Sequence, residues 1–163
     1  MRVAIQPCGD SEAQRHYVDT IENPVPREKI LPFLSSSQRA DFEAACGNHV
    51  AVWGVTPGKL GQNRKKWLKL EPGDIALLYR AKRIFSLGHI VLTLHNEELA
   101  ATLWSRTSEG ITWEYVYFLD DLREIEIPVS RYNEVLGYAP NNIVQGFQVY
   151  EDGLPDLLYQ GDC

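Results

Sequence analysis

Apolar residues in this chain fall into short runs separated by turn-forming residues, and most runs are too short for helices. Val3 to Ile5 reads as a strand, ended by Gln6-Pro7 and Gly9-Asp10. Residues 10 to 32 are mixed and carry Pro24, Pro26 and Pro32, which predicts a loop with a short helical turn. Ser35 to Ser37 offer N-cap hydroxyls to a helix from Gln38 to Ala45, which Gly47-Asn48 ends. His49 to Val55 is a buried strand, and Asn63 to Leu68 a helical turn. Pro72-Gly73 turns into a strand from Asp74 to Tyr79. Another strand lies between Arg83 and Leu94, where Gly88 predicts a bulge or a close backbone approach. Asn96 to Trp104 is a helix with Glu97 and Glu98 in its first turn, where they suit the dipole. Trp113 to Leu119 and Leu122 to Ile127 are two strands, the second half-exposed and stopped by Pro128. A short helix, Arg131 to Leu136, and a strand, Gly146 to Tyr150, complete the reading. Strands outnumber helices and do not alternate with them, so the pattern favours an α+β fold: a mixed β-barrel with peripheral helices rather than a doubly wound sheet.

Length and composition narrow the class. At 163 residues a single domain spanning 1–163 is expected. Apolar content of 44% and charged content of 23% are those of a soluble globular protein. No apolar run approaches the roughly 20 residues of a membrane span, and no signal peptide is visible. Cys8, Cys46 and Cys163 are widely spaced and lack metal-ligand spacing, so a cytoplasmic location is expected.

Charge changes the picture through its distribution. The net charge of −6 argues against general nucleic-acid binding. Yet eight basic residues lie between Lys59 and Arg83: Lys59, Arg64, Lys65, Lys66, Lys69, Arg80, Lys82 and Arg83. Only Glu71 and Asp74 oppose them, whereas from Glu109 onward eleven acids face Arg123 and Arg131. A polyanion responds to that local field more than to net charge.

Catalytic signatures are scarce. There is no Gly-rich phosphate loop and no nucleophile elbow. His16, His49, His89 and His95 are scattered, and neither Cys46 nor Cys163 has a placed activating partner. A metal-dependent nuclease would have to use Asp120, Asp121, Glu124 or Glu126, which read more simply as a solvated strand face. No cofactor is expected. The aromatics are more informative: Trp53, beside Gly54 and just before Thr56-Pro57, sits where a strand meets a turn and a basic segment begins. Aromatic faces stack on bases while Lys and Arg hold phosphates.

These residues resemble a known family. Val52-Trp53-Gly54-Val55-Thr56-Pro57, then Lys59-Leu60 and Asn63, is similar to the YTH-domain stretch carrying the first cage tryptophan. Ile75 to Gly88 and Phe118 to Pro128 resemble later YTH segments, and Trp67, Pro72-Gly73-Asp74, Tyr79 and Gly88 resemble bacterial EVE domains. The resemblance covers about residues 46–150. It implies a PUA-like fold, a small, strongly bent barrel with flanking helices, and a pocket for a flipped, modified base. The chain looks most like the N-terminal DNA-reading domains of prokaryotic McrBC-type restriction proteins, with Glu151 to Cys163 leading to a linker and an effector nuclease or NTPase.

On that resemblance the cage is Trp53 and Gly54 with Trp104 or Trp113 as the second wall. Asn48, Ser37 and Gln38 are candidate base-edge contacts by position. Lys59, Arg64, Lys65, Lys66, Arg80, Lys82 and Arg83 are expected to hold phosphates. The expected function is a non-enzymatic reader of N6-methyladenine or 5-methylcytosine in DNA, serving a restriction effector in phage defence. A reader of modified RNA, a small nuclease or RNA-modification module, a protein-interaction domain and a pocket for a free nucleotide or methylammonium group are the alternatives.

Overall fold

The structure, a computed structural model, describes residues 1–151. Most of the expected linker after Glu151, and Cys163 with it, therefore lies outside the described residues. Seven strands form one mixed sheet: β1 (Val3–Pro7), β2 (Val25–Pro26), β3 (His49–Val55), β4 (Ile75–Arg80), β5 (Arg83–His95), β6 (Tyr115–Pro128) and β7 (Gln148–Tyr150). Their order is β2-β3-β6-β5-β4-β1-β7. All pairings are antiparallel except β1 with β4.

The expected closed barrel is not formed: β2 and β7 end the sheet as edges and do not pair. The sheet nonetheless curls enough for β1 and β3 to share one core cluster, and its irregularities lie mainly in the two long central strands. The β5–β6 pairing shifts register three times, at Ile84/Ser86, Leu87/His89 and Ile90/Leu92. Each bulge adds local twist and bends the ladder. Gly88 lies within the second shift, where a Cβ would meet Leu122 Cδ2 at 3.0 Å and Leu119 Cβ at 3.3 Å. The expectations of a bulge and of a close approach at Gly88 both hold.

The two strands expected at Trp113–Leu119 and Leu122–Ile127 are one continuous strand, β6. Asp120-Asp121 does not end it; Asp121 takes a left-handed φ of 48° and the strand resumes on the far side. A β-bulge absorbs polar residues that otherwise read as a turn.

Helices α1 (Ser11–Tyr17), α2 (Ser36–Ala45), α3 (Gln62–Trp67), α4 (Glu97–Trp104) and α5 (Val129–Leu136) flank the sheet. The region 10–32, expected as a loop with one helical turn, holds α1 and a π-turn at Val18–Glu22. Asp10 caps α1 by accepting from Ala13 N at 2.7 Å. Ser35 and Gln38 close a reciprocal capping box on α2, and Asn96 caps α4 by accepting from Leu99 N at 2.8 Å. The turn before β4 is held by Asp74, only 3% exposed, whose carboxylate accepts from Arg2 N and Glu71 N.

Three apolar clusters fill the faces. On the concave face Ala4, Cys8, Tyr17, Trp53, Leu78, Tyr117 and Phe147 pack together. Behind β3 and β6, Phe42 and Trp104 pack on Val52, Val116 and Phe118. Behind β1 and β4, Tyr132 of α5 packs on Val3, Ile5 and Leu77. The alternation of β3 thus sends Trp53 and Val55 to one face and Val52 to the other, as the period-two geometry of a strand requires. No helix among the described residues is long and apolar enough to cross a membrane.

Candidate nucleic-acid interface

The curl of the sheet brings the ends of β1 and β3 together, although three strands separate them in the sheet order. Between them opens a cavity of about 220 Å³. Gln6 and Pro7 of β1, His16 of α1, Trp53 and Gly54 of β3, Asn63 of α3 and Trp113 contribute to its wall. Ligand pockets for drug-sized molecules run to roughly 300–1,000 Å³, so this volume suits a smaller group.

Two residues of the wall each carry a buried polar atom without a partner. Trp53 is only 3% exposed, and its Nε1 is buried with no hydrogen-bond partner among the described residues. The same holds for Gln6 Oε1, while Gln6 Nε2 donates to Pro7 O at 3.2 Å. An unmet buried donor or acceptor costs about 1–3 kcal/mol, so folding alone gives no reason to keep both. The wall carries Asp10 and Glu12 and no lysine or arginine. Its chemistry therefore suits an amino group and repels a phosphate.

His16 organises the aromatic side of the cavity. Its ring stacks on Trp104 at 5.6 Å and 30°, and meets Trp113 edge-on at 4.4 Å and 89°. Burial lowers its pKa to about 4, with Arg15 adding to the effect, so the ring is neutral at physiological pH.

Of the tryptophans expected to form a cage, the structure brings Trp53 and Trp113 to one cavity and leaves Trp104 out of it. Trp104 lies on the opposite face of β3 from Trp53, packed behind Gly54, and its Nε1 donates to Thr20 Oγ1 at 3.3 Å. A base clamped between Trp53 and Trp104 would have to pass through the strand. Gly54 lines the cavity and also makes room for the packing behind β3. A Cβ there would collide with Trp113 O and lie 2.7 Å from Trp104 Cζ3, so on that side the glycine admits protein.

Asn48, Ser37 and Gln38 do not reach the cavity. Gln38 Oε1 accepts from Ser35 N at 3.0 Å in the α2 cap, and Ser37 is exposed beside it. Asn48 precedes β3 at the end away from Trp53, roughly 16 Å along the strand at about 3.3 Å per residue. The side chains that meet the cavity in their place are Gln6, His16 and Asn63. In the sequence Gln6-Pro7 reads only as a strand end. His16 lies in the segment expected as a loop with a short helical turn, although Asp10 with Glu12 in the first turn is a legible helix start.

The basic residues split into two groups. Lys59, Arg64 and Lys65 are exposed beside the cavity, on α3 and the turn before it, with no ion-pair partner among the described residues. Trp67 anchors this segment: it is 8% exposed, its Nε1 donates to Val116 O at 3.1 Å, and its ring lies 5.1 Å from that of Tyr115. Lys66 is partly engaged, donating from Nζ to Phe147 O at 3.0 Å. Arg80, Lys82 and Arg83 form a second group at the β4–β5 hairpin. There Arg80 lies 4.1 Å over the Phe85 ring, and Arg83 pairs with Glu126.

Two of the four acidic residues considered for a nuclease are engaged in ion pairs. Asp121 pairs with Arg123 at 3.0 Å and Glu126 with Arg83. Among the described residues no group of three His, Cys, Asp or Glu is placed to hold a metal ion. Burial raises the Cys8 and Cys46 thiols to about 12 and about 11, so neither supplies a thiolate near neutrality.

No protein-family profile matches the chain, and no curated protein sequence matches it. Among solved structures, the N-terminal domain of Thermococcus gammatolerans McrB, bound to m5C DNA, superposes with a TM-score of 0.70. The match covers 98% of this chain and 98% of that one, at 18% sequence identity. At that identity the similarity speaks for the fold, and it agrees with the resemblance to McrBC-type N-terminal domains seen in the sequence. The chain has the fold of the McrB N-terminal domain, shared along nearly the whole of both chains.

Proposed function

We propose that this chain is a non-catalytic reader of a modified base in DNA, and that the base leaves the duplex to enter the cavity between β1 and β3. The observation that carries this reading is that two residues of its wall, Trp53 and Gln6, each keep a buried polar atom, Nε1 and Oε1, without a hydrogen-bond partner among the described residues. Cytosine and adenine each present an amino donor next to a ring-nitrogen acceptor. A buried N–H and a buried amide oxygen complement that edge, and Asp10 and Glu12 add a negative field that favours the amino group. Trp113, held edge-on by His16, supplies aromatic surface.

The ligand of the McrB domain makes 5-methylcytosine the first base to test, with N6-methyladenine second. One methyl contributes only about 0.8 kcal/mol by burial, so discrimination rests on the shape of the cavity. Extracting the base costs a few kcal/mol, which the contacts in the cavity and the phosphates must offset. Lys59, Arg64 and Lys65 hold phosphates beside the opening, with Arg80, Lys82 and Arg83 as a second contact along the backbone. Cleavage or NTP hydrolysis belongs to an effector domain or subunit that this reader directs to modified DNA.

The test is fluorescence polarisation with duplex and single-stranded DNA and RNA probes, each unmodified or carrying one modified base. Trp53→Ala is a poor variant for it, because removing a 3%-exposed Trp costs roughly 3–5 kcal/mol of stability. Trp53→Phe keeps most of the packing and deletes the unpaired N–H. We expect about tenfold weaker binding to the modified probe, with binding to unmodified DNA unchanged. Equal binding of the native protein to modified and unmodified probes would refute the reading.

Salt dependence supplies a separate check. Phosphate contacts by Lys59, Arg64 and Lys65 contribute about −3 to the slope of log K against log salt on B-DNA, in addition to what Arg80, Lys82 and Arg83 contribute. The double variant Arg64→Ala/Lys65→Ala is expected to reduce that slope by about two. An unaltered slope would remove these side chains from the interface.

A further inference from the structure

We propose that Leu60 is an intercalating wedge that fills the gap left in the base stack when the modified base moves into the cavity. The proposal rests on the base-reading function above and assigns the residue that holds the duplex open.

An exposed leucine alone means little, since scattered apolar residues are normal on protein surfaces. Leu60 differs in how it is exposed. It is 91% exposed and sits at φ 56° and ψ 26°, in the left-handed region that a leucine avoids. Strain of this kind persists where the surrounding structure imposes it, and it gathers at ligand-contacting segments.

The surrounding turn does impose it. Gly58 and Gly61 take φ values of 76° and 72° on either side. Gly61 N donates to Gly58 O at 3.1 Å, and Pro57 O accepts from both Asn63 N at 3.0 Å and Arg64 N at 3.2 Å. Asn63 packs onto Gly58 so closely that a Cβ there would lie 2.8 Å from Asn63 Cγ. The tip is therefore braced from below, with the leucine side chain outermost.

Position and charge supply the occupant. Thr56 and Asn63, which bracket the turn, both line the cavity. Leu60 thus stands at the rim, beside Lys59, Arg64 and Lys65. A lone apolar tip among cations is a poor patch for docking a protein, which needs contiguous apolar area. It suits DNA, where cations take the phosphates and an apolar side chain enters between base steps.

The test compares Leu60→Ala and Leu60→Met with the native chain on one modified sequence, as duplex and as single strand. A 2-aminopurine next to the modified base reports unstacking in the duplex. Because Leu60 is almost fully exposed, neither substitution threatens the fold. Leu60→Ala is expected to bind the modified duplex about tenfold more weakly and the modified single strand less than about twofold more weakly. Leu60→Met, still apolar and unbranched, is expected to retain duplex binding and the rise in 2-aminopurine fluorescence. Unchanged duplex affinity in Leu60→Ala, with preference for the modified base intact, overturns the wedge and leaves the reader standing. Equal losses on duplex and single strand also overturn it. If the native chain shows no preference for modified over unmodified DNA, the reader falls and the wedge with it.

Discussion

Gly54→Ala is expected to lower the free energy of unfolding by about 3 kcal/mol, at the upper end of what overpacking one methyl usually costs. Gly54 has ordinary extended backbone, so no left-handed φ is at stake. The loss comes from crowding on two sides. The new methyl would collide with the carbonyl oxygen of Trp113 and lie 2.7 Å from Cζ3 of Trp104. Neither neighbour can yield cheaply. Trp104 is 6% exposed, stacked on His16 and bonded to Thr20, and the Trp113 atom is backbone. Urea denaturation measures the change directly, and a melting temperature lower by about 6–12 °C is the equivalent for a chain of this size. The same substitution would push Trp113 away from the cavity, so the preference for modified DNA should fall with stability. A change smaller than about 0.5 kcal/mol would show that the Trp113 segment moves freely.

Acidification is expected to remove up to about 3 kcal/mol of stability through one side chain, His16. Burial holds its pKa near 4 in the folded chain, against 6.5 when unfolded. Between those values the unfolded chain binds a proton that the folded chain refuses, so the equilibrium shifts toward unfolding. The contribution is full above pH 6.5, declines as pH falls and is lost by about pH 4. Arg15 works in the same direction as burial, while Asp19 and Asp10 oppose it. His16→Phe keeps an aromatic ring between Trp104 and Trp113 and removes the titration. The difference in unfolding free energy between native and variant, measured from pH 7.5 to 4, should change across this window. A constant difference would mean that the His16 ring is hydrated.

Most strands were legible in the chain as apolar runs bounded by turn-forming residues, whereas the full lengths of β5 and β6 were not. His49–Val55 and the helix starting at Ser35 emerge almost residue for residue. Helix α1 is longer than the short helical turn expected in residues 10–32, where three prolines mask the Asp10 cap. The continuity of β6 was missed because a bulge places Asp120-Asp121 in mid-strand, and local polarity cannot distinguish a bulge from a turn.

For the candidate site, the sequence by itself determined the Trp53-Gly54 strand end, the basic segment behind it and the polarity of charge along the chain. Those are properties of neighbouring residues, and short-range chemistry records them. The tertiary structure decided which partners meet Trp53. Strand parity sends Trp104 behind Gly54, and the curl of the sheet brings Gln6 and His16 to the cavity from the other end of the chain. Whether Trp53 Nε1 and Gln6 Oε1 are paired is likewise a question of packing between distant segments. So is the isolation of Leu60 at the tip of a braced turn, whose composition, glycines around a leucine, is ordinary until the backbone shows which way the leucine points.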